Sequence, residues 1–153
     1  MDLESVKRYL EKDEAGNGAT VDSIPYKFFE PFIVQGITVD VVEPGRVVCT
    51  MKVPDRLLNT GNFLHGGATA TLVDVMGSAA IATLGAPRTG VSVEINVSYL
   101  DAAYAGEEIE IESKALRVGK AVAVVSVELR KKKTGKIIAQ GRHTKYLAVS
   151  SKM

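Results

Sequence analysis

NTGNFLHGGATATLVDVMGSAAIATL, residues 59–84, decides how the rest of the chain is read. From Gly66 to Leu84 it runs without proline and is rich in alanine and leucine-type helix formers, which predicts one long helix. Most helices in small domains keep one wet face. This one does not, because between His65 and Arg88 the only formally charged side chain is Asp74. Ala68, Ala70, Leu72, Val73, Val75, Met76, Ala79, Ala80 and Ile81 cover nearly every direction. A helix apolar all round is expected to be buried all round, and its small residues let a sheet approach closely.

Outward from the helix, the texture is that of strands. Ile37–Val42, a turn at Glu43-Pro44-Gly45 and Arg46–Val53 read as a strand, a tight turn and a strand. On the other side Val91–Leu100 alternates, with Val91, Val93, Ile95, Val97 and Tyr99 on one face and Ser92, Glu94, Asn96 and Ser98 on the other. Further strands are expected near 107–117, 121–131 and 136–148, with Val118-Gly119 and Thr134-Gly135 at the turns. The order predicts an α+β fold, an antiparallel sheet of five to six strands wrapped around one long central helix. Residues 1–25 read as an N-terminal helix and linker. The helix covers 2–14, with Leu3, Val6, Tyr9 and Leu10 on one side, and Gly16-Asn17-Gly18 ends it. Residues 26–150 form the main domain, where Phe28, Phe29 and Phe32 serve as a cover over the core or as lining for an apolar ligand.

The chain has 153 residues, 46% apolar and 24% charged, enough for one real core. A net charge of +1 gives no electrostatic case for nucleic acid. No stretch is apolar enough to span a membrane, and the acidic N-terminus suits neither a transit peptide nor a secretory signal. Cys49 is the only cysteine, so no internal disulfide forms and a reducing compartment is expected; it reads as a small buried thiol. The terminal Ser151-Lys152-Met153 is close to the Ser-Lys-Leu address of peroxisomal import, so a peroxisomal location is expected. Two histidines and one cysteine do not make a conventional zinc site. There is no phosphate-binding loop, dinucleotide fingerprint or Gly-x-Ser-x-Gly elbow, and neither a metal nor a cofactor is expected.

Two features carry chemistry. An ionised Asp in an apolar setting is costly unless it is partnered, or its pKa rises. Asp74 therefore reads either as a structural carboxylate bonded to a neighbour or, better, as a base or nucleophile whose basicity desolvation raises. At the helix start, Gly66 and Gly67 present N–H groups at the positive end of the macrodipole with no Cβ in the way. Such a site suits a developing oxyanion.

NTGNFLHGGATATLVDVMGSAA, together with GVSVEINVSYL, RVGKAVAVVSVEL and TGKIIAQGRHTKYL, resembles the small stand-alone hotdog acyl-coenzyme A thioesterases over roughly residues 30–148. Within them it is most similar to the eukaryotic thioesterase-superfamily type, related to bacterial phenylacetate-pathway enzymes. The resemblance implies a hotdog fold, dimers and usually tetramers, and acyl-CoA as substrate. It also implies a catalytic Asn at Asn59, a catalytic Asp at Asp74 and a water-contacting Ser at Ser92, with oxyanion binding at His65-Gly66. Coenzyme A contacts are implied at Arg117, Gly119, Lys120 and Tyr146, and Gly67 and Tyr99 are placed on the substrate side. Some relatives carry Glu in place of the helix Asp, so Asp74 favours one subgroup. Blander readings stand beside these roles: Asn59 suits a turn, Ser92 a wet strand face, Arg117 and Lys120 a solvated turn, and Arg130–Lys133 a solvated hairpin end. For His65 a capping or positioning role is favoured.

Gly66 and Asp74 are eight residues apart, about 12 Å along a helix axis. One scissile carbonyl cannot touch both in the same chain, which independently predicts a dimer with composite sites. The expected reaction places the thioester oxygen on the Gly66 N–H. Asp74 of a second chain then activates a water held by Ser92 and Asn59, or attacks directly to give an anhydride. The rival readings are a hotdog hydratase or dehydratase and a non-catalytic acyl-CoA-binding module. Fatty and aromatic acyl groups are both open.

Overall fold

Period-2 patterning and turn glycines give six strands: β1 (Thr38–Glu43), β2 (Arg46–Lys52), β3 (Val91–Tyr99), β4 (Glu108–Val118), β5 (Val122–Lys131) and β6 (Ile137–Tyr146). The computed structural model describes residues 3–11, 24–86 and 89–147. The Gly16-Asn17-Gly18 break and the Ser151-Lys152-Met153 tail lie outside them. Gly45 (φ 78°) and Gly135 (φ 75°) take the left-handed backbone that the β1–β2 and β5–β6 turns need. All neighbouring strands pair antiparallel in the order β1-β2-β4-β5-β6-β3. The helices are α1 (Leu3–Leu10), α2 (Phe29–Val34) and the long α3 (Gly66–Ala82). The chain divides into two units, Met1–Phe32 and Ile33–Met153. The second unit holds the whole sheet and α3.

α3 stops two residues before the expected Leu84. Thr83 ends it by donating its hydroxyl to the Ala80 carbonyl (2.6 Å) and accepting from the Gly45 N–H (2.7 Å), which ties the helix end to the β1–β2 turn. One helix face (Ala68, Leu72, Val73, Met76, Ala80, Ile81) is buried against the inner faces of β2–β6, where Met51, Ile109, Ile111, Val125, Val127, Leu129 and Ala139 are buried too. Each large apolar side chain so removed from water contributes about 2 kcal/mol. Cys49 belongs to this core at 2% exposure, and burial, with Asp40 adding, pushes its thiol up to about 11, so it stays a neutral packing group.

Three expectations need correcting. α3 is not buried all round: Ala70, Thr71, Asp74, Val75, Ser78 and Ala79 are only half-buried, and Ala82 is exposed, because a single chain's sheet covers one side. The alternation of β3 breaks at its start. Ser92 pairs with Lys145 and Glu94 with Thr144, so Val93 is the extra residue of a bulge and the parity reverses there. Ser92 thereby joins the inner face with Ile95, Val97 and Tyr99 instead of standing with Glu94 and Asn96. The run Arg130–Lys133 is also more engaged than a solvated hairpin end. Arg130 bonds Glu110, Glu112 and Glu128, Lys131 pairs with Asp101 and Glu107, and Lys132 donates to Thr50, since β5 lies beside the acidic outer face of β4.

Candidate active site

The segment before α3 is folded onto itself to present the helix start. Its turn is built on Asn59, whose carboxamide oxygen accepts from the Gly61 N–H (2.9 Å) and the Phe63 N–H (3.2 Å). The carboxamide nitrogen has no partner among the described residues, so Asn59 is both a turn residue and a free donor. The His65 N–H donates to the Leu57 carbonyl (2.8 Å), and the His65 ring caps the helix, Nδ1 accepting from the Gly67 N–H (2.8 Å). Capping is the positioning role expected of His65. It also separates the two glycines: the Gly67 N–H is taken, and the Gly66 N–H has no acceptor among the described residues. Tyr99 holds Gly66 from the sheet, its hydroxyl donating to the Gly66 carbonyl (2.7 Å). The first turn of α3 has no acidic residue, so its positive end is left for a ligand. A cleft of about 330 Å³ opens there, lined by Phe63, Leu64, Gly66, Thr69, Tyr99 and Ile138 among others.

A second group gathers around Asp74. Ser92, turned inward by the bulge, lies 2.7 Å through Oγ from His143 Nε2, and the same nitrogen is 3.7 Å from the Asp74 carboxylate. His143 is fully buried (0%), and burial holds its pKa below the ordinary histidine value. The Lys145 charge acts in the same sense, and the Asp74 carboxylate opposes it. At neutral pH the ring is therefore uncharged. It fits against the helix because residue 77 is glycine; a Cβ there would stand 2.9 Å from His143 Nδ1. Lys145, also buried, donates to Ser78 Oγ (2.6 Å). The full desolvation expected of Asp74 is not present in the single chain, where its side chain is 45% exposed on the open face of α3.

His143 is the site residue that the sequence does not single out. Its signal is parity: His143 and Lys145 share the inward face of β6 with Ala139 and Gly141, two titratable side chains on an apolar face. The third group sits beyond Ser92 and Lys145, at the end of the sheet away from Tyr99 and Gly66. Arg117 follows a bulge at Leu116, the Gly119 N–H closes the β4–β5 turn on the Val122 carbonyl (2.8 Å), and Lys120 is exposed. Tyr146 pairs with both Val91 and Val122 at that end, half-open to solvent.

The structure thus brings His65, Gly66, Gly67 and Tyr99 together, with Asn59 in the turn that leads into them, and Asp74 with Ser92 through His143. It does not join those groups within one chain. Asp74 stays about 12 Å from Gly66 along α3, and the eight steps of β3 separate the Val91 and Tyr99 ends by about 26 Å. A larger groove of about 660 Å³ at the β5–β6 turn, lined by Gly106–Glu108 and Lys131–Thr134, contains none of the expected site residues. Among the described residues no group of three or more His, Cys, Asp or Glu is arranged to hold a metal ion.

Residues 61–138 match the family model described as Thioesterase superfamily. Human acyl-coenzyme A thioesterase 13 is 47% identical over 72% of this chain and 79% of its own length. Among solved structures, zebrafish thioesterase superfamily member 2 superposes with a TM-score of 0.75 at 39% identity, covering 96% of this chain and 99% of that one. The mouse thioesterase superfamily member 2 gives 0.73 at 41% identity, over 84% and 92% respectively.

Proposed function

This chain belongs to the thioesterase superfamily, and from that premise we propose that it hydrolyses acyl-coenzyme A thioesters at sites shared between two copies of itself. The observation that carries the reading is the division of the machinery into a donor half, at Gly66, and a base half, at Asp74, too far apart to meet in one chain. β3 supplies the means of joining them. It is a nine-residue edge strand on which Val91 (55%), Val93 (66%), Ile95, Tyr99 and the following Leu100 are exposed, with Glu94 its only charge. Such an edge invites another strand. A twofold antiparallel β3–β3 pairing lays the Tyr99 and Gly66 end of one chain beside the Ser92 and Asp74 end of the other. The same pairing brings one chain's Arg117, Lys120 and Tyr146 toward the other's cleft, where they suit coenzyme A phosphates.

The chemistry follows from the halves. The thioester oxygen accepts from the Gly66 N–H at the helix dipole and from the Asn59 carboxamide, so Asn59 serves the donor half. In the base half Asp74 takes a proton from water as its oxygen attacks the thioester carbon. Ser92, fixed by neutral His143, orients that water. The tetrahedral oxyanion is stabilised where donors already point. It collapses by breaking the C–S bond, and the proton on Asp74 passes to the leaving thiolate, giving free acid and coenzyme A. The apolar cleft beside Gly66 suits the acyl end, fatty or aromatic.

A panel of fatty and aromatic acyl-CoAs, followed by thiol release, tests the reaction class. Stoichiometric thiol that saturates with substrate is expected. Saturable binding without thiol, or addition of water to an enoyl-CoA with the thioester intact, would overturn it. A second check concerns His143. Gly77→Ala gains about 1 kcal/mol of helix propensity, yet its Cβ crowds the ring away from Ser92. We expect kcat to fall about tenfold with Tm nearly unchanged; unaltered kcat would show that the ring's position is immaterial.

A further inference from the structure

Lys145 is a buried charge with no part in the steps above. It is 5% exposed, on the inner face of β6, in register with Ser92 on β3 and Ala123 on β5. Its ammonium is satisfied by a neutral hydroxyl, Ser78 Oγ at 2.6 Å. Ser78 lies four residues after Asp74, on the same face of α3 one turn along. Burial pulls the Lys145 pKa down, and the Asp74 carboxylate is the charge that holds it up. A methionine would fill this space without that cost, so packing gives no reason for an ammonium here.

Among the described residues nothing else on the surrounding elements plays the same part. β2 brings Cys49 to the inner face as a neutral thiol, β4 brings Ser113, β5 brings Ala123 and Val125, and β3 brings Ser92 and Ile95. β6 brings His143, which burial keeps uncharged, and α3 itself carries Asp74 alone. Lys145 is thus the one fixed positive charge on these inner faces among the described residues at this end of the sheet. In one chain water still screens the pair, because Asp74 is half-open. A partner strand and a bound substrate remove that water, and the attraction grows as the local dielectric falls.

We propose that Lys145 is a positioning residue for the hydrolysis: anchored by Ser78 one helical turn from Asp74, its buried ammonium attracts the Asp74 carboxylate and opposes a second positive charge on His143 once the site is covered. The proposal rests on Asp74 acting as the base. Its sign is fixed by electrostatics: taking a positive charge away from a carboxylate favours the protonated acid. The acid limb of the kcat/KM–pH profile should therefore move to higher pH when the charge is removed.

The test compares full-length Lys145→Met, Lys145→Gln and Lys145→Arg by pH–rate profiles on one acyl-CoA, with Tm and assembly measured alongside. For Met and Gln the limb is expected to rise by about one pH unit, so that kcat/KM on the acid side of the wild-type limb falls about tenfold while the plateau at higher pH changes little and KM stays within about twofold. Arg, which keeps the charge, should return the limb most of the way to wild type. If Met does not fold, Gln, which can still bond Ser78, carries the comparison, and Ser78→Ala gives a third reading with a smaller shift of the same sign. A wild-type limb in a folded Met or Gln variant overturns the proposal, as does an Arg variant that behaves like Met. Near-normal turnover in Asp74→Asn would instead remove the base reading itself, so the two failures are distinguishable.

Discussion

Asp74→Asn is expected to leave a folded, assembled protein whose turnover of acyl-CoA is about a thousandfold slower. The substitution keeps shape and removes only charge and basicity. Folding should hardly notice. Asp74 faces the open side of α3, its neighbour His143 is neutral at 3.7 Å, and Lys145 keeps its bond to Ser78, losing only an attraction that water screens at the half-open carboxylate. Chemistry should notice strongly, because no other base in this half is open to the water: His143 is completely buried and reaches it only through the Ser92 hydroxyl. Direct attack by Asp74 would be abolished just as completely, so the result does not depend on which role the carboxylate plays. Single-turnover thiol release, with sedimentation to confirm assembly and titration with a non-hydrolysable acyl-CoA analogue to confirm binding, reads the loss. Turnover within about tenfold of wild type would move the base elsewhere.

Much of this architecture was legible in the sequence, and the part that was not has a physical cause. The helix 66–82 and all six strands announce themselves by period and by turn glycines, because burial of one face imposes those patterns directly. A bulge imposes none. One extra residue at Val93 leaves the alternation of β3 looking regular, yet it turns Ser92 from the wet face to the inner one, and a count by twos cannot see it. Composition likewise says that α3 is apolar in every direction but not which face the chain's own sheet leaves uncovered, so the sequence predicts a deeper Asp74 than the single chain shows. His143 stayed hidden for a related reason. Its role depends on two contacts made across the fold, Ser92 from β3 and the open surface of Gly77 on α3, and neither is near it in sequence. At the helix start the sequence offered two equivalent glycines, and only the cap geometry of His65, which occupies the Gly67 N–H, singled out Gly66.

That distinction makes a clean deletion of the donor half available, and with it a direct test of shared sites. Gly66 is the first residue of α3, where proline is well tolerated, since its missing N–H has no helical partner to lose. His65 before it is extended (φ −63°, ψ 134°), the conformation a following proline demands. A Cβ at position 66 would meet the Tyr99 ring at 3.4 Å, an ordinary contact. Gly66→Pro should therefore fold and assemble while losing its oxyanion donor, with kcat down by about two to three orders of magnitude. Mixed with Asp74→Asn, it should do something neither variant does alone. In a heterodimer, one site combines the intact Gly66 of the Asn variant with the intact Asp74 of the Pro variant, and the other site carries both lesions. Random pairing makes half the dimers mixed, so co-refolding two inactive proteins should restore roughly a quarter of wild-type activity. A site contained in one chain predicts no recovery at all. A co-refolded preparation that mass measurement shows to contain heterodimers, yet is as inactive as its parents, would return both half-sites to a single chain.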